Sequence, residues 1–447
     1  MNRNILRIAL PSIAQNVTIP LLGLADAAIS GHLGGAAYIG AVAVGAMVFN
    51  MLYWLCGFLR MSTGGLTAQA CGRTSAEDAS LLTVLLRAMR IGGLIALLFV
   101  VLQGPLGYVA FRLMDATPEV EALARTYFKI LIWGAPAVLG GYALSGWFLG
   151  RQDARTPMRV AIVQNVLNIA LSLFFVVNLG WKVEGVAAGT LIAQWAGLAM
   201  FLLTRVSLSS STEAQESSMR KPLMCFVWQA WRGRGAQATQ RIQTNSWSVE
   251  LAFFLRTLCM VIVQVWFTRS GAAQGDTMLA INALLMQFYM LFSYVMDGFA
   301  YAGEALGGKF YGAADRPSFL SLTRWLHVWG AGLTLVFTLV YYFFGTFLLS
   351  LLTDDLSVVA AAIAYLPYAC LLPACGMAAF LFDGLCIGTT SSRLMLLSVG
   401  AGALAFFLMQ WGAGQHCAAN DALWAAMLSF LAVRGLVLAA CYRHLLP

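Results

Sequence analysis

The chain contains apolar runs long enough to cross a lipid bilayer, and these runs decide its fold class. Residues 91–106 read IGGLIALLFVVLQGPL without one charged side chain, and residues 333–352 and 394–414 are similar. A helix needs about 20 apolar residues to span the hydrocarbon. The runs do not alternate as the strands of a β-barrel would. Because 60% of the residues are hydrophobic and only 10% charged, we predict an all-α polytopic membrane protein.

Twelve apolar stretches qualify as transmembrane helices. The predicted spans cover residues 5–32, 37–70, 80–112, 119–150, 156–179, 183–208, 246–270, 276–306, 318–347, 355–386, 390–414 and 418–443. Several exceed the length that a bilayer requires, which predicts helices that tilt or extend beyond the lipid.

Lysine and arginine residues concentrate in the loops on one predicted side of the membrane. The opposite side carries only Arg112, Lys182 and Arg269. Since basic loops stay in the cytoplasm, we expect a multi-pass protein of the inner (cytoplasmic) membrane with both termini in the cytoplasm. The formal net charge of +8 is then a property of these loops, and no nucleic-acid partner is predicted.

A polar segment near the middle of the chain interrupts the hydrophobic pattern. It begins SSSTEAQESS at Ser209, a composition typical of flexible linkers. We therefore predict an N-terminal six-helix lobe over residues 1–208, a cytoplasmic linker loop over 209–245 and a C-terminal six-helix lobe over 246–447.

The two halves of the sequence resemble each other, which predicts an internal duplication. LMDATPEVEALARTYF in the first half aligns with LLTDDLSVVAAAIAYL in the second, with Leu113 opposite Leu351. The same offset pairs Gly146 with Gly384 and Gly150 with Gly388. Six spans in each half give both halves the same orientation. Such repeats form two pseudo-symmetric lobes around a central cleft that alternates its access, and transport is the natural function of that architecture.

Ionisable side chains within the predicted spans are the first candidates for a functional site. A charge inside the membrane costs about 2.5–3.5 kcal/mol on insertion scales, so it persists where it has a cavity or a partner. The candidates for coupling or for the substrate cavity are Asp26, Arg256, Asp297, Glu304 and Asp383. Arg256 could neutralise one of the acids, and a structural ion pair is as good an explanation as a direct transport role.

Asp26 is the sharpest of these candidates. Its neighbours in LGLADAAISG are apolar and disfavour the charged form, so the carboxyl is suited to take up and release a proton. Pro11 and Pro20 precede it in the same span, and each can bend the helix because it lacks an amide hydrogen. The alternative is that Asp26 lies at the outer mouth and is solvated.

Uncharged polar residues in the fifth and sixth spans could complete a cation site. Asn165 and Asn168 precede Ser172 in MRVAIVQNVLNIALSLFF, and Thr190 follows in the next span. Asn168 and Ser172 lie four residues apart, on one helix face. Their oxygens could surround a cation or hold a protonated carboxyl, and ordinary interhelical hydrogen bonding explains them equally well.

Several of these stretches together resemble the multidrug and toxic compound extrusion (MATE) family, and most closely its DinF-type branch. The resemblance is carried in order by LGLADAAISGHLG, GFLRMSTGGLTAQACG, NVLNIALSLFFVVNLGWKVEGVAAGTLIAQ, DGFAYAGEALGGKFYG and FDGLCIGTT. It implies export of organic, often cationic or amphipathic, compounds in exchange for H⁺ or Na⁺. It also implies that Asp26, Asn168 and Thr190 bind the coupling cation and that Pro11 bends the first helix.

One departure from the family pattern concerns the coupling ion. Family members commonly read NIVLD where this chain reads NIALS, so Ser172 replaces a second acid. A site with one carboxylate holds Na⁺ less well, which favours H⁺.

We therefore expect a monomeric, H⁺-coupled antiporter that contacts membrane lipid and exports a small organic compound. No enzyme activity, cofactor or metal site is predicted, because no catalytic or metal-binding motif is present. The alternative is a flippase of lipid-linked oligosaccharides or other lipids with the same superfamily architecture. Such a flippase needs a cationic cavity, and intramembrane arginine is expected to be sparse, chiefly Arg60 and Arg256.

Overall fold

Apolar sequence without interior charge folds into long helices throughout the chain. The computed structural model describes residues 1–31, 35–73, 78–114, 117–206, 221–225, 236–353, 355–414 and 418–447. The helices of the first half are α1 (Asn2–Gly31), α2 (Ala36–Leu55), α3 (Phe58–Gly72), α4 (Asp78–Val101), α5 (Gln103–Met114), α6 (Pro118–Leu131), α7 (Ala135–Gly150), α8 (Arg155–Val177) and α9 (Val183–Leu203). Those of the second half are α10 (Ala236–Ala272), α11 (Asp276–Gly312), α12 (Arg316–Leu352), α13 (Leu356–Ile363), α14 (Leu366–Gly388), α15 (Ser392–Ala413) and α16 (Ala419–Ala440).

The predicted number of spans is confirmed. In the described part of the chain, 12 helical stretches are long and apolar enough to cross a membrane. Two of them join consecutive helices, α2 with α3 and α6 with α7, the latter through a 3₁₀ turn at Ile132–Gly134. The third predicted span, 80–112, is instead divided between α4 and α5. Pro105 lies in the first turn of α5 and cannot donate an amide hydrogen to the preceding turn.

The segment between the two halves has regular secondary structure near both of its ends, where the sequence predicted a flexible linker. Two short strands, β1 (Arg205–Val206) and β2 (Lys221–Pro222), pair antiparallel. Helix α10 begins at Ala236, inside the predicted linker. Its first turns, AQATQRIQ, are polar but consist largely of good helix formers, so hydropathy alone missed them. Residues 207–220 and 226–235 of the predicted loop lie outside the described residues.

Contacts divide the chain into two compact units. One comprises Ala14–Ser246, and the other comprises Met1–Ile13 with Trp247–Pro447. The predicted lobe limits differ from this division at the N-terminus, because the first turns of α1 pack with the second half. In that unit Gly298 of α11 makes room for α1, since a methyl group there would lie 2.9 Å from the carbonyl oxygen of Ala9.

The predicted duplication is confirmed by equivalent helix crossings in the two units. In the first, a methyl group on Gly150 of α7 would lie 2.6 Å from the carbonyl oxygen of Gly64 on α3. In the second, one on Gly388 of α14 would lie 2.5 Å from the carbonyl oxygen of Glu304 on α11. Glycine is thus required at both crossings, because any side chain would force the helices apart.

The turns after these crossings are also equivalent. Gln152 and Thr390, which the repeat offset pairs, both adopt left-handed backbone conformations, with φ of 63° and 54°. The amide of Asp153 bonds to the carbonyl of Phe148 at 3.0 Å, and the amide of Ser391 bonds to that of Cys386 at 2.8 Å. The same backbone geometry at the same offset indicates that each half is built on one ancestral plan.

Candidate cation-binding site

Asp26 projects from α1 in the first unit and is the central residue of the candidate site. It is half-buried, and its Oδ1 is buried without a hydrogen-bond partner among the described residues. The nearby Ser30 hydroxyl donates to the backbone carbonyl of Asp26 at 2.7 Å rather than to the carboxyl. A buried carboxyl oxygen without a partner is costly when the group is charged, and a bound proton or cation would reduce that cost.

A buried polar network joins α8 to α9 in the same unit. Asn168 Oδ1 accepts hydrogen bonds from the hydroxyl of Ser172 at 3.0 Å and from that of Thr190 at 3.4 Å. The Thr190 hydroxyl also bonds to the carbonyl of Val186 at 2.9 Å. The two helices approach closely at Gly189, where a methyl group would lie 2.7 Å from the amide nitrogen of Ser172. The structure therefore brings three of the predicted site residues into one network.

Tyr127 on α6 links this network to Asp26. Its hydroxyl lies close enough to Thr190 and to Asp26 to interact electrostatically with both. The ring is 2% exposed and occupies the space left by Gly45, where a methyl group would lie 2.5 Å from Cδ1. In the sequence, Tyr127 is visible only as part of the repeated segment that begins at Leu113. The signal that was missed is a hydroxyl-bearing aromatic in a buried helix, which needs a polar partner.

Three further candidates from the first half of the sequence are Asn165 on α8 and the two prolines of α1. Asn165 donates to the backbone carbonyl of Thr18 at 3.3 Å and so joins α8 to α1. Pro11 and Pro20 both lie within α1, which is one continuous helix from Asn2 to Gly31. Pro20 cannot donate to the carbonyl of Asn16 four residues earlier. Bending at these prolines stays a prediction.

The second unit contains a different arrangement of buried charges. Asp383 on α14 accepts hydrogen bonds at its Oδ2 from Arg256 on α10, at 2.5 Å, and from Arg434 on α16, at 2.6 Å. The three side chains are 9%, 7% and 2% exposed, respectively. The suggested pairing of Arg256 with an acid is therefore found, and Asp383 is that acid.

Arg434 corrects the expectation that intramembrane arginine is confined chiefly to Arg60 and Arg256. It is fully buried, and its guanidinium lies over the ring of Phe430 at 5.1 Å. The sequence signal was available, because FLAVRGLVLAA is as apolar around its arginine as FFLRTL is around Arg256.

The other two acids of the second unit lie on α11. Asp297 is half-buried and accepts from the hydroxyl of Ser293 at 3.5 Å. Glu304 is fully buried at the crossing of α11 with α14. In the described residues, no three His, Cys, Asp or Glu side chains come together in a group that could hold a metal ion.

Comparison with known proteins identifies the same pattern in each half. The MatE family model matches twice, at residues 11–174 and 249–411. The starts of the two matches are separated by the same offset that pairs Gly146 with Gly384, so the family model recognises each copy of the internal repeat.

Two relatives and one solved structure illustrate the similarity. DNA damage-inducible protein F of Escherichia coli is 37% identical over 443 residues, which cover 98% of this chain and 91% of that protein. A probable multidrug resistance protein NorM of Thermotoga maritima is 22% identical over 72% of this chain and 66% of its own length. The bent form of the Vibrio cholerae MATE transporter VcmN has a TM-score of 0.82 at 19% identity, over 99% of this chain and 96% of that one.

Proposed function

Since the chain belongs to the MatE family of multidrug and toxic compound extrusion transporters, we propose that it is a proton-coupled antiporter that exports organic compounds by alternating access. Members of this family are transporters and not enzymes. The chain is a multi-pass membrane protein. The coupling ion, the class of compound and the residues that perform the exchange are the proposal.

The observation that carries this proposal is the carboxyl of Asp26. Its Oδ1 is buried without a partner among the described residues, and the carboxyl interacts electrostatically with Tyr127, which also faces Thr190. A carboxyl in that position is neutral when it carries a proton and must find a counter-ion or water when it loses one. Asp26 can therefore exist in two states that favour different packing of α1.

Protons fit this site better than Na⁺ does. A sodium ion needs several oxygens with available lone pairs, and here the Asn168 carbonyl oxygen already accepts from both Ser172 and Thr190. Asp26 is the one carboxylate of the group, because Ser172 replaces the acid that the family pattern has at that position. Binding Na⁺ would require breaking hydrogen bonds, whereas binding H⁺ requires only Asp26.

The proposed cycle uses Asp26 as the group that carries the proton. Protonation from outside removes its charge, α1 then repacks against its neighbours, and the exported compound is released outward. When the protein returns to the state that is open to the cytoplasm, it releases the proton there. The membrane potential contributes about 2.3 kcal/mol per 100 mV for each charge that moves inward. Pro11 and Pro20 would be the points at which α1 changes shape.

The remaining parts of the proposal concern surroundings and partners. The protein would lie in the inner membrane with both termini in the cytoplasm, since the basic loops favour that orientation. It would work as a monomer in contact with lipid and would bind a small organic compound that is cationic or amphipathic.

Transport by purified protein in proteoliposomes tests the proposal. An imposed proton gradient should drive uptake of a dye into vesicles that contain the wild-type protein, and Asp26→Asn should abolish this response. Asp26→Glu should retain part of it. Asp276→Asn, at the start of α11 and outside the site, serves as the control and should behave as wild type. Full proton-driven transport by Asp26→Asn would refute the role of Asp26.

A sodium gradient applied to the same vesicles tests the choice of ion. We expect no dye uptake when the gradient is of Na⁺ alone at equal pH on both sides. Uptake driven by Na⁺ and abolished by Asp26→Asn would retain the site but overturn proton coupling.

A further inference from the structure

The first unit contains a second buried polar atom without a partner, besides the carboxyl oxygen of Asp26. The hydroxyl of Tyr53 on α2 is buried and has no hydrogen-bond partner among the described residues, and the side chain is 8% exposed. A buried hydroxyl that stays unpaired destabilises the folded state, and a phenylalanine would fill the same space without one. Packing alone therefore does not account for a tyrosine at this position.

Helices α2 and α6 place Tyr53 further along the unit than Tyr127. The two helices run side by side in the same direction, since a methyl group on Gly40 would lie 3.4 Å from the side chain of Val120 and one on Gly45 would lie 2.5 Å from Tyr127. Tyr53 follows Gly45 by about two helical turns, a rise of about 12 Å. The unpaired hydroxyl therefore belongs to a deeper level of the unit than the contact between Gly45 and Tyr127.

Two further tyrosines lie near Tyr53. The ring centroid of Phe49 is 5.6 Å from that of Tyr53 and 6.4 Å from that of Tyr127, so this ring packs against both. The Tyr53 hydroxyl interacts electrostatically with Tyr127 and with Tyr142 of α7. Tyr142 is half-buried, whereas the other two tyrosines are buried. Three tyrosine side chains thus lie within electrostatic range of one another, and Tyr127 is also within range of Asp26.

The four groups form a series across the membrane-spanning part of the unit. Asp26 lies about one and a half turns before the end of α1, on the side predicted to face outward. Tyr53 lies near the middle of the span Ala37–Gly72. Tyr142 lies about two turns before the end of α7, on the side predicted to face the cytoplasm. Since Tyr127 lies between Asp26 and Tyr53 in this series, the hydroxyls follow one another from the candidate site towards the cytoplasm.

We infer that the hydroxyls of Tyr127, Tyr53 and Tyr142 relay a proton from the candidate site to the cytoplasmic side of the first unit. The O–H bond of Asp26 breaks, and each hydroxyl in turn accepts one proton and gives up its own. Bound water closes any gap longer than a hydrogen bond. One proton leaves Tyr142 to cytoplasmic water, and every tyrosine ends neutral. This relay rests on the proposed proton-coupled export and supplies the path by which Asp26 loses its proton.

Tyrosine suits a relay inside a membrane. Its hydroxyl both donates and accepts hydrogen bonds, and it stays neutral, so it avoids the cost of a charge in the hydrocarbon region. The network on α8 and α9 offers no comparable path. Asn168 contributes only an acceptor oxygen to its bonds with Ser172 and Thr190, so those bonds pass no proton onward.

The initial rate of rhodamine 123 uptake into proteoliposomes, driven by an imposed proton gradient, tests the relay. Tyr53→Phe keeps the ring and removes only the hydroxyl, so uptake should slow at least about tenfold, as expected when a group that transfers a proton is lost. Tyr127→Phe should slow uptake in the same way. Tyr108→Phe, at a position on α5 that is 54% exposed, is the matched control and should transport as wild type does.

Two further measurements separate a relay from a structural role. Tyr53→Phe should bind rhodamine 123 in detergent with wild-type affinity, and its melting temperature should be unchanged or higher, because the variant loses a hydroxyl without a partner among the described residues. Slow uptake together with weaker binding or a lower melting temperature would show a structural role and overturn the relay.

The wild-type protein separates failure of the relay from failure of the proposed function. If wild-type vesicles respond to the proton gradient and Tyr53→Phe vesicles respond equally fast, the relay is wrong and proton-coupled export stands. If wild-type vesicles do not respond at all, proton-coupled export is wrong and the relay falls with it.

Discussion

The two halves of this protein share a helix plan but differ in how they treat a buried acid. In the first half, Asp26 has a carboxyl oxygen without a partner among the described residues, beside a network of neutral side chains. In the second, Asp383 accepts from two arginines at 2.5 and 2.6 Å. The carboxylate of Asp383 is thus held by two charge-assisted hydrogen bonds, whereas the buried oxygen of Asp26 has none among the described residues. The comparison indicates that duplication supplied the scaffold and that later substitutions separated the roles of the two halves.

The largest expected effect is on the free energy of unfolding, which should fall far more in a variant of Asp383 than in one of Asp26. Asp383→Asn leaves two buried guanidiniums without their carboxylate, and breaking such a buried pair costs about 3–5 kcal/mol. Asp26→Asn removes a group whose Oδ1 has no partner in the described residues, so its effect should be below about 1 kcal/mol. Thermal unfolding of both variants in the same detergent checks this. Equal losses of stability would mean that Asp26 is also structurally paired.

The two glycine crossings predict equal effects in the two halves. Gly150→Ala and Gly388→Ala each place a methyl group about as close to a facing carbonyl, at 2.6 and 2.5 Å. Overpacking of this kind costs about 1–3 kcal/mol, so both melting temperatures should fall by a similar amount. Gly93→Ala, where nothing lies within 4 Å, is the control. A loss confined to one half would argue against equivalent crossings.

A gain of sodium binding would sharpen the assignment of the first-half site. Ser172→Asp restores the acid of the family pattern next to Asn168 and adds hard oxygen ligands near Asp26. We expect the melting temperature of this variant to be higher in NaCl than in choline chloride, because Na⁺ would bind the folded state preferentially. A sodium concentration of ten times the dissociation constant stabilises the folded state by about 1.4 kcal/mol. The double variant with Asp26→Asn should lose this response. A sodium-dependent rise in the wild type would contradict proton selectivity.

The smallest expected effect comes from a surface helix cap in the second half. Asp315 accepts from the amide of Ser318 at 3.1 Å, and hydrogen bonds from Ser318 lower its pKa below the usual 3.8. The ionised Asp315 cap therefore stabilises the folded state fully at pH values above 3.8. This stabilisation is lost as the pH falls through the lowered pKa of the folded state. Asp315→Asn should remove this component of the acid sensitivity. Asp355, whose pKa is lowered by Ser357 and Val358, provides a second variant of the same kind.

Much of the fold follows from the sequence, because hydropathy and helix length are local properties. Twelve spans and the offset of the internal repeat were predictable from apolar runs and from pairs such as Gly146 with Gly384. The start of α10 at Ala236 was not predictable, because the first turns of this helix are polar and hydropathy does not mark them.

The site was only partly predictable. Asn168, Ser172 and Thr190 share helix faces that the sequence reveals, but the place of Tyr127 beside them depends on how α6 packs. The apolar run around Arg434 marks it as intramembrane, but its pairing with Asp383 was not predictable, because the two residues are 51 positions apart and on different helices. Long-range pairing is decided by tertiary packing, and a single sequence contains little information about it.

Proton release on ligand binding tests most directly the claim that Asp26 is the exchanging acid. Purified protein in weakly buffered detergent is mixed with rhodamine 123, and the change in pH is recorded. Wild-type protein and Asp297→Asn should release protons on binding, whereas Asp26→Asn should bind the dye and release none. Proton release that persists in Asp26→Asn, or that disappears in Asp297→Asn, would contradict this account.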